Sequence, residues 1–182
     1  MARIAPLQDH ELNEQAAEVL TRIRRDWGAS WNITSAMAHN PAVLEGFLAL
    51  WNAIDQSGLS SADREVICME MAVANGCHYC VPAHRYAARQ AGVDAGLIDR
   101  IAGGETLEGE ERPAVVQRLV RRLVATKGQL DDAEFLAFQE AGITKPQMVA
   151  VIAEIAHCTM TNYFNRLAQT ELDPFLAPYN AE

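Results

Sequence analysis

The chain has 182 residues, 24 acidic against 15 basic side chains, a formal net charge of −9, and 49% hydrophobic against 21% charged content. That is chain enough for one domain that buries roughly 70% of its unfolded surface, and it is not the composition of a disordered protein. An acidic surface repels phosphate backbones, which argues against nucleic acid as a partner, and no apolar run reaches the ~18 residues of a membrane span.

The N-terminal stretch "MARIAPLQDHELNEQAAEVL" carries acids early and has no long apolar segment, so it does not read as a signal peptide. The expected compartment is cytoplasmic, where a close cysteine pair is more often catalytic or metal-binding than structural. Further on, "HNPAVLEGFLALWNAID" reads as a helix with Asn40 as N-cap and Pro41 at its first position. Leu44, Phe47, Leu48, Trp51 and Ile54 form its apolar face. "GLSSADREVICMEMAVAN" follows, capped by Ser60 or Ser61, with Asp63 and Glu65 in its first turns.

Beyond the cysteines, "AHRYAARQAG" ends at Gly92, and "VDAGLIDRIAGG" is a short helix. "ERPAVVQRLVRRLVATKG" is longer, with Val115, Leu119, Leu123 and Val124 facing inward. "DDAEFLAFQEAG" and "TKPQMVAVIAEIAHCTMTNYFNRLAQTEL" complete the set. Period-two alternation is scarce and the connections are short, so the expectation is one all-α domain over residues 1–182. A weak internal echo relates "GLSSADREVICMEMA" to "GITKPQMVAVIAEIA" at an offset of 84, pairing Gly58 with Gly142 and Glu70 with Glu154.

Chemistry concentrates in residues 65–90, "EVICMEMAVANGCHYCVPAHRYAARQ". Cys77 and Cys80 form a Cys-x-x-Cys with His84 four residues on. A structural zinc site would need a second ligand pair, and Cys68 and Cys158 stand alone in apolar helical runs. A bridge across two intervening residues closes a tiny loop and stabilises little as a staple. Two helix cysteines without a role are the plain alternative.

The redox reading draws on position. "ANG" before Cys77 terminates a helix, and Pro82 is comfortable only in a first turn, so a new helix starts between Gly76 and Pro82. Cys80 then sits near a helix N-terminus, where the dipole and free amides favour thiolate. His84, one turn along the same face, is placed to act as general base. On a straight helix Glu65 would lie about 22 Å from Cys80 along the axis, out of reach. If the chain folds back at Asn75–Gly76, Glu65 approaches His84 and can orient its imidazole as an acid orients the base of a triad. Otherwise Glu65 is simply a charge near a helix N-terminus.

Glu65, then Cys77-His78-Tyr79-Cys80, then His84 resembles the signature of the alkylhydroperoxidase D-like proteins of the carboxymuconolactone decarboxylase superfamily. "HNPAVLEGF" and "TNYFNRLAQTELD" resemble the peroxidase-related branch. The resemblance implies a multi-helix bundle with a helix break before the Cys-x-x-Cys, assembled as a homo-oligomer, trimer or hexamer. It implies a cofactor-free, metal-free thiol peroxidase that reduces small hydroperoxides and is restored by a thiol or dithiol reductant. Cys80 would be peroxidatic and Cys77 resolving, with His84 and Glu65 relaying protons. Studied peroxidases of the family carry a histidine directly before the second cysteine; here Tyr79 stands there and His78 one place earlier, so both are secondary candidates. The alternatives are a thiol–disulfide sensor without peroxide turnover, and a decarboxylase-like lyase using His84 and Glu65 alone.

Overall fold

In the computed structural model, which describes residues 1–180, the chain is helical throughout and no strand occurs among those residues. The helices are α1 (Glu14–Trp27), α2 (Asn32–Met37), α3 (Pro41–Asp55), α4 (Ser61–Ala74), α5 (Cys80–Gln90), α6 (Ala95–Ala102), α7 (Arg112–Thr126), α8 (Asp132–Glu140) and α9 (Lys145–Ala168). Short 3₁₀ segments, Asp9–Glu11 and Pro174–Tyr179, lie near the ends. No described helix is long and apolar enough to cross a membrane.

The caps follow from the residues. Asn40 accepts from the Val43 amide, with Pro41 opening α3. Ser60 and Asp63 form a capping box on α4. Gly92 closes α5 at φ 69°. On α7, Val115, Leu119 and Leu123 are buried as expected, but Val124 is 40% exposed. The buried stripe runs along the 115–119–123 and 116–120 rows and ends before it. Helix α9 stops at Ala168 rather than continuing to Leu172, because Gln169 turns left-handed and the Asn165 carbonyl takes the Gln169 and Thr170 amides.

Apolar burial divides into two clusters. One gathers Val66, Ile67, Met69, Ile98, Leu119 and Ile143 around α4, α6, α7 and α9. The other gathers Leu20, Ile23, Leu44 and Phe47 of α1 and α3 with Cys77, Tyr79 and Cys80. Helix α4 forms the seam, with Cys68 on one side and Ala72 on the other. The internal echo corresponds to matching helix entries: α4 and α9 begin 84 residues apart, each with a capping box, after Gly58 and Gly142 at φ 83° and 89°. Glu70 and Glu154 are both buried and each is bonded by an arginine, Arg121 and Arg64 respectively.

Candidate active site

Between α4 and α5 the chain folds back. Helix α4 ends at Ala74, Gly76 adopts φ 60°, the Gly76 amide donates to the Val73 carbonyl and the Cys77 amide to that of Ala72. This paired closure is the Schellman pattern, which needs a left-handed residue at the position Gly76 fills. Helix α5 opens at Cys80, with Pro82 in its first turn. The two helices pack against each other, so residues 65 and 84 become neighbours. The straight helix that would have separated them does not form.

Glu65 Oε2 and His84 Nδ1 are 3.0 Å apart. Their side chains are 13% and 17% exposed, so solvent reaches the pair without dissolving it. Burial alone would lower the His84 pKa, but the Glu65 charge and hydrogen bond outweigh it and hold the imidazole above its ordinary value.

Cys77 and Cys80 are bonded to each other as a disulfide, and both are buried. The sulfur of Cys80 also receives two amide donors from α9: Asn162 Nδ2 at 3.1 Å and Asn165 Nδ2 at 3.4 Å. Asn162 is held in turn by Asn75 Nδ2, which donates to its Oδ1 at 2.9 Å. Amide donors and a helix N-terminus are groups that stabilise a thiolate over a thiol. The asparagines were not among the sequence candidates. Their available signal was a polar pair, 162 and 165, on the buried face of an otherwise amphipathic helix.

His78 and Tyr79 are engaged elsewhere. His78 is exposed, and its Nε2 lies 2.9 Å from the Thr170 carbonyl, beside a groove of about 810 Å³ along α5 and α6. The buried Tyr79 hydroxyl donates to Asp173 Oδ2 at 2.6 Å, and Asp173 also accepts from the Asn32 amide. Burial and the adjacent carboxylate push the Tyr79 phenol far above its ordinary pKa, so it holds the C-terminal segment against α5 as a hydrogen-bond donor.

Cys68 and Cys158 do not stand alone, contrary to the sequence reading. The packing of α4 on α9 brings their sulfurs to 3.3 Å, with the Cys68 thiol 3.4 Å from Glu154 Oε1. The hydrogen bond to Cys158, together with burial, pushes Cys68 well up, while the same bond draws Cys158 down.

Residues 41–106 match the carboxymuconolactone decarboxylase family. No curated protein matches the chain significantly. Among solved structures, the alkylhydroperoxidase AhpD core of an uncharacterized peroxidase-related protein from Ralstonia eutropha JMP134 superposes with a TM-score of 0.83 at 19% identity, over 96% of this chain and 94% of that one. An uncharacterized peroxidase-related protein from Silicibacter sp. TM1040 gives 0.79 at 20% identity, over 98% and 93%. A variant of the debrominase Bmp8 in complex with 2,3,4-tribromopyrrole gives 0.75 at 19% identity, over 97% and 94%. At these identities the likenesses establish the fold, and the family match spans the stretch that carries Glu65, Cys77, Cys80 and His84. Over residues 41–106 the chain is thus similar to the carboxymuconolactone decarboxylase family, and over nearly its whole length it shares the fold of these peroxidase-related structures.

Proposed function

We propose that the protein is a cofactor-free thiol peroxidase acting on small alkyl hydroperoxides. The observation that carries this reading is the Glu65–His84 pair at 3.0 Å, which ties α4 to the α5 turn that follows a bonded Cys77–Cys80 couple at a helix N-terminus. In the reduced protein His84 takes the Cys80 proton, and Glu65 holds the imidazole and the charge it gains. The Cys80 thiolate attacks the distal peroxide oxygen and the O–O bond breaks. The departing alkoxide takes a proton from His84 and leaves as the alcohol, and Cys80 becomes a sulfenic acid. Cys77 attacks that sulfur, water leaves, and the disulfide forms. A thiol or dithiol reductant returns two electrons and two protons.

Exposed Val149, Ile152, Tyr163 and Leu167 on α9 support a further reading, that the chain works as a homo-oligomer, trimer or hexamer. The deciding test of the chemistry is stopped-flow consumption of tert-butyl hydroperoxide by reduced protein. Wild type should react far faster than Cys80→Ser, and equal rates would end the peroxidase reading. A thiol–disulfide sensor would show a defined redox potential without peroxide turnover. A lyase built on His84 and Glu65 would keep its activity on a carboxylated lactone in Cys80→Ser.

A further inference from the structure

We propose that Cys68, Cys158, Glu154 and His157 form a buried tetrahedral site for a divalent metal of the zinc class, separate from the Cys77–Cys80 couple and joining α4 to α9. The first observation is donor geometry. The Cys68, Glu154 and Cys158 ligand atoms lie within 4.8 Å of one another, and all three residues are buried. The sulfurs are 3.3 Å apart, Cys68 Sγ is 3.4 Å from Glu154 Oε1, and Glu154 Oε1 is 3.5 Å from His157 Nδ1. Around a tetrahedral zinc with ordinary bond lengths, those edges would be about 3.8, 3.5 and 3.3 Å. Those three edges are within about half an ångström of what the metal needs; His157 lies outside the mutual 4.8 Å of the other three ligands, so its imidazole must swing inward to complete the tetrahedron.

His157 is the second, independent observation. It is 4% exposed, its ring stacks on Phe47 at 4.6 Å, and neither ring nitrogen has a hydrogen-bond partner. A buried imidazole left unsatisfied costs about 1–3 kcal/mol. A metal in the cluster accepts the Nδ1 lone pair and removes that deficit.

The surroundings fit a cation with two thiolates. Arg64 Nε binds Glu154 Oε2 at 2.8 Å, leaving Oε1 to the cluster. Arg64 is itself fixed by Asp55 and by the Trp51 face, 4.7 Å from its guanidinium. Two thiolates, the Glu154 carboxylate, the Arg64 guanidinium and one divalent cation sum to zero charge, as a dry site requires. Thiolate and imidazole donors at these lengths favour zinc over magnesium or calcium.

The test uses full-length Cys77→Ser/Cys80→Ser protein, reduced and without oxygen, so the first pair cannot supply ligands. Titration with Co²⁺ should give one equivalent of tetrahedral cobalt absorption with sulfur-to-cobalt charge transfer, displaced by Zn²⁺. Adding Cys158→Ala or Cys68→Ala should abolish the charge transfer and weaken Zn²⁺ by more than roughly 100-fold, and His157→Gln by roughly 10- to 100-fold. In wild-type protein, Zn²⁺ should block alkylation of Cys68 and Cys158, a reading that needs no variant to fold. No stoichiometric cobalt spectrum, a spectrum that survives both alanine variants, or oxidation of Cys68 and Cys158 to a disulfide under saturating Zn²⁺ would each overturn the site.

Discussion

Replacing Glu65 by Gln isolates the part of the site most sensitive to the fold-back. The shape and one hydrogen bond to His84 survive, and the charge goes. At 3.0 Å and an effective dielectric near 20, the lost attraction is about 5.5 kcal/mol before desolvation is counted. Burial opposes it, so with the carboxylate removed His84 falls from its raised value. The rate constant of reduced protein with tert-butyl hydroperoxide, measured from about pH 5 to about pH 9, should then show two changes. Its midpoint should move to lower pH, and its plateau should drop by a good part of the roughly 10²- to 10⁴-fold that a positioned base contributes. A midpoint that stays in place, or rises, would refute the relay through Glu65.

Asn162→Ala removes the donor 3.1 Å from the Cys80 sulfur and should raise the Cys80 pKa and slow its alkylation by iodoacetamide, since a hydrogen bond to a charged group is worth about 1.5–3 kcal/mol. Tyr79→Phe leaves Asp173 short of one donor and should lower stability in urea by about 1–3 kcal/mol while leaving peroxide kinetics within about twofold. Gly76→Ala places a side chain at φ 60° with nothing within 4 Å of its Cβ, so the expected cost is the backbone strain of about 1–2 kcal/mol, read by urea unfolding, with no added steric clash. His84, raised in the folded state, contributes stability that is full below its unfolded pKa near 6.5 and is lost as pH rises through its folded value; wild-type stability should fall across that window more than that of His84→Gln.

Much of the fold was legible because its signals are local. Asn40 with Pro41, the Ser60 capping box and Gly92 each mark a helix end through bonds made within a few residues. The fold-back at Gly76 could be read the same way, since αL geometry and an N-terminal Pro82 both act within one turn. What distant chain supplies was not legible. Asn162 and Asn165 reach Cys80 across 82 and 85 residues, and Cys158 reaches Cys68 across 90. Nothing near Cys68 distinguishes it from a small apolar residue until α9 packs on α4. Helix α1 was not read from the N-terminal stretch either, although Val19, Leu20 and Ile23 bury against α3 with the aromatic rings of Trp27 and Phe47.

In the proposed chemistry Cys80 reduces a hydroperoxide and passes the oxidation to Cys77. Intact mass and peptide mapping of reduced protein, before and after one equivalent of tert-butyl hydroperoxide, test it most directly when the tert-butyl alcohol released is counted in the same sample. Loss of two hydrogens mapped to Cys77–Cys80, one alcohol per disulfide, and in Cys77→Ser a sulfenic acid trapped at Cys80 are the expected results. A protein that keeps its thiols while peroxide persists, or that forms the disulfide without releasing alcohol, would contradict it.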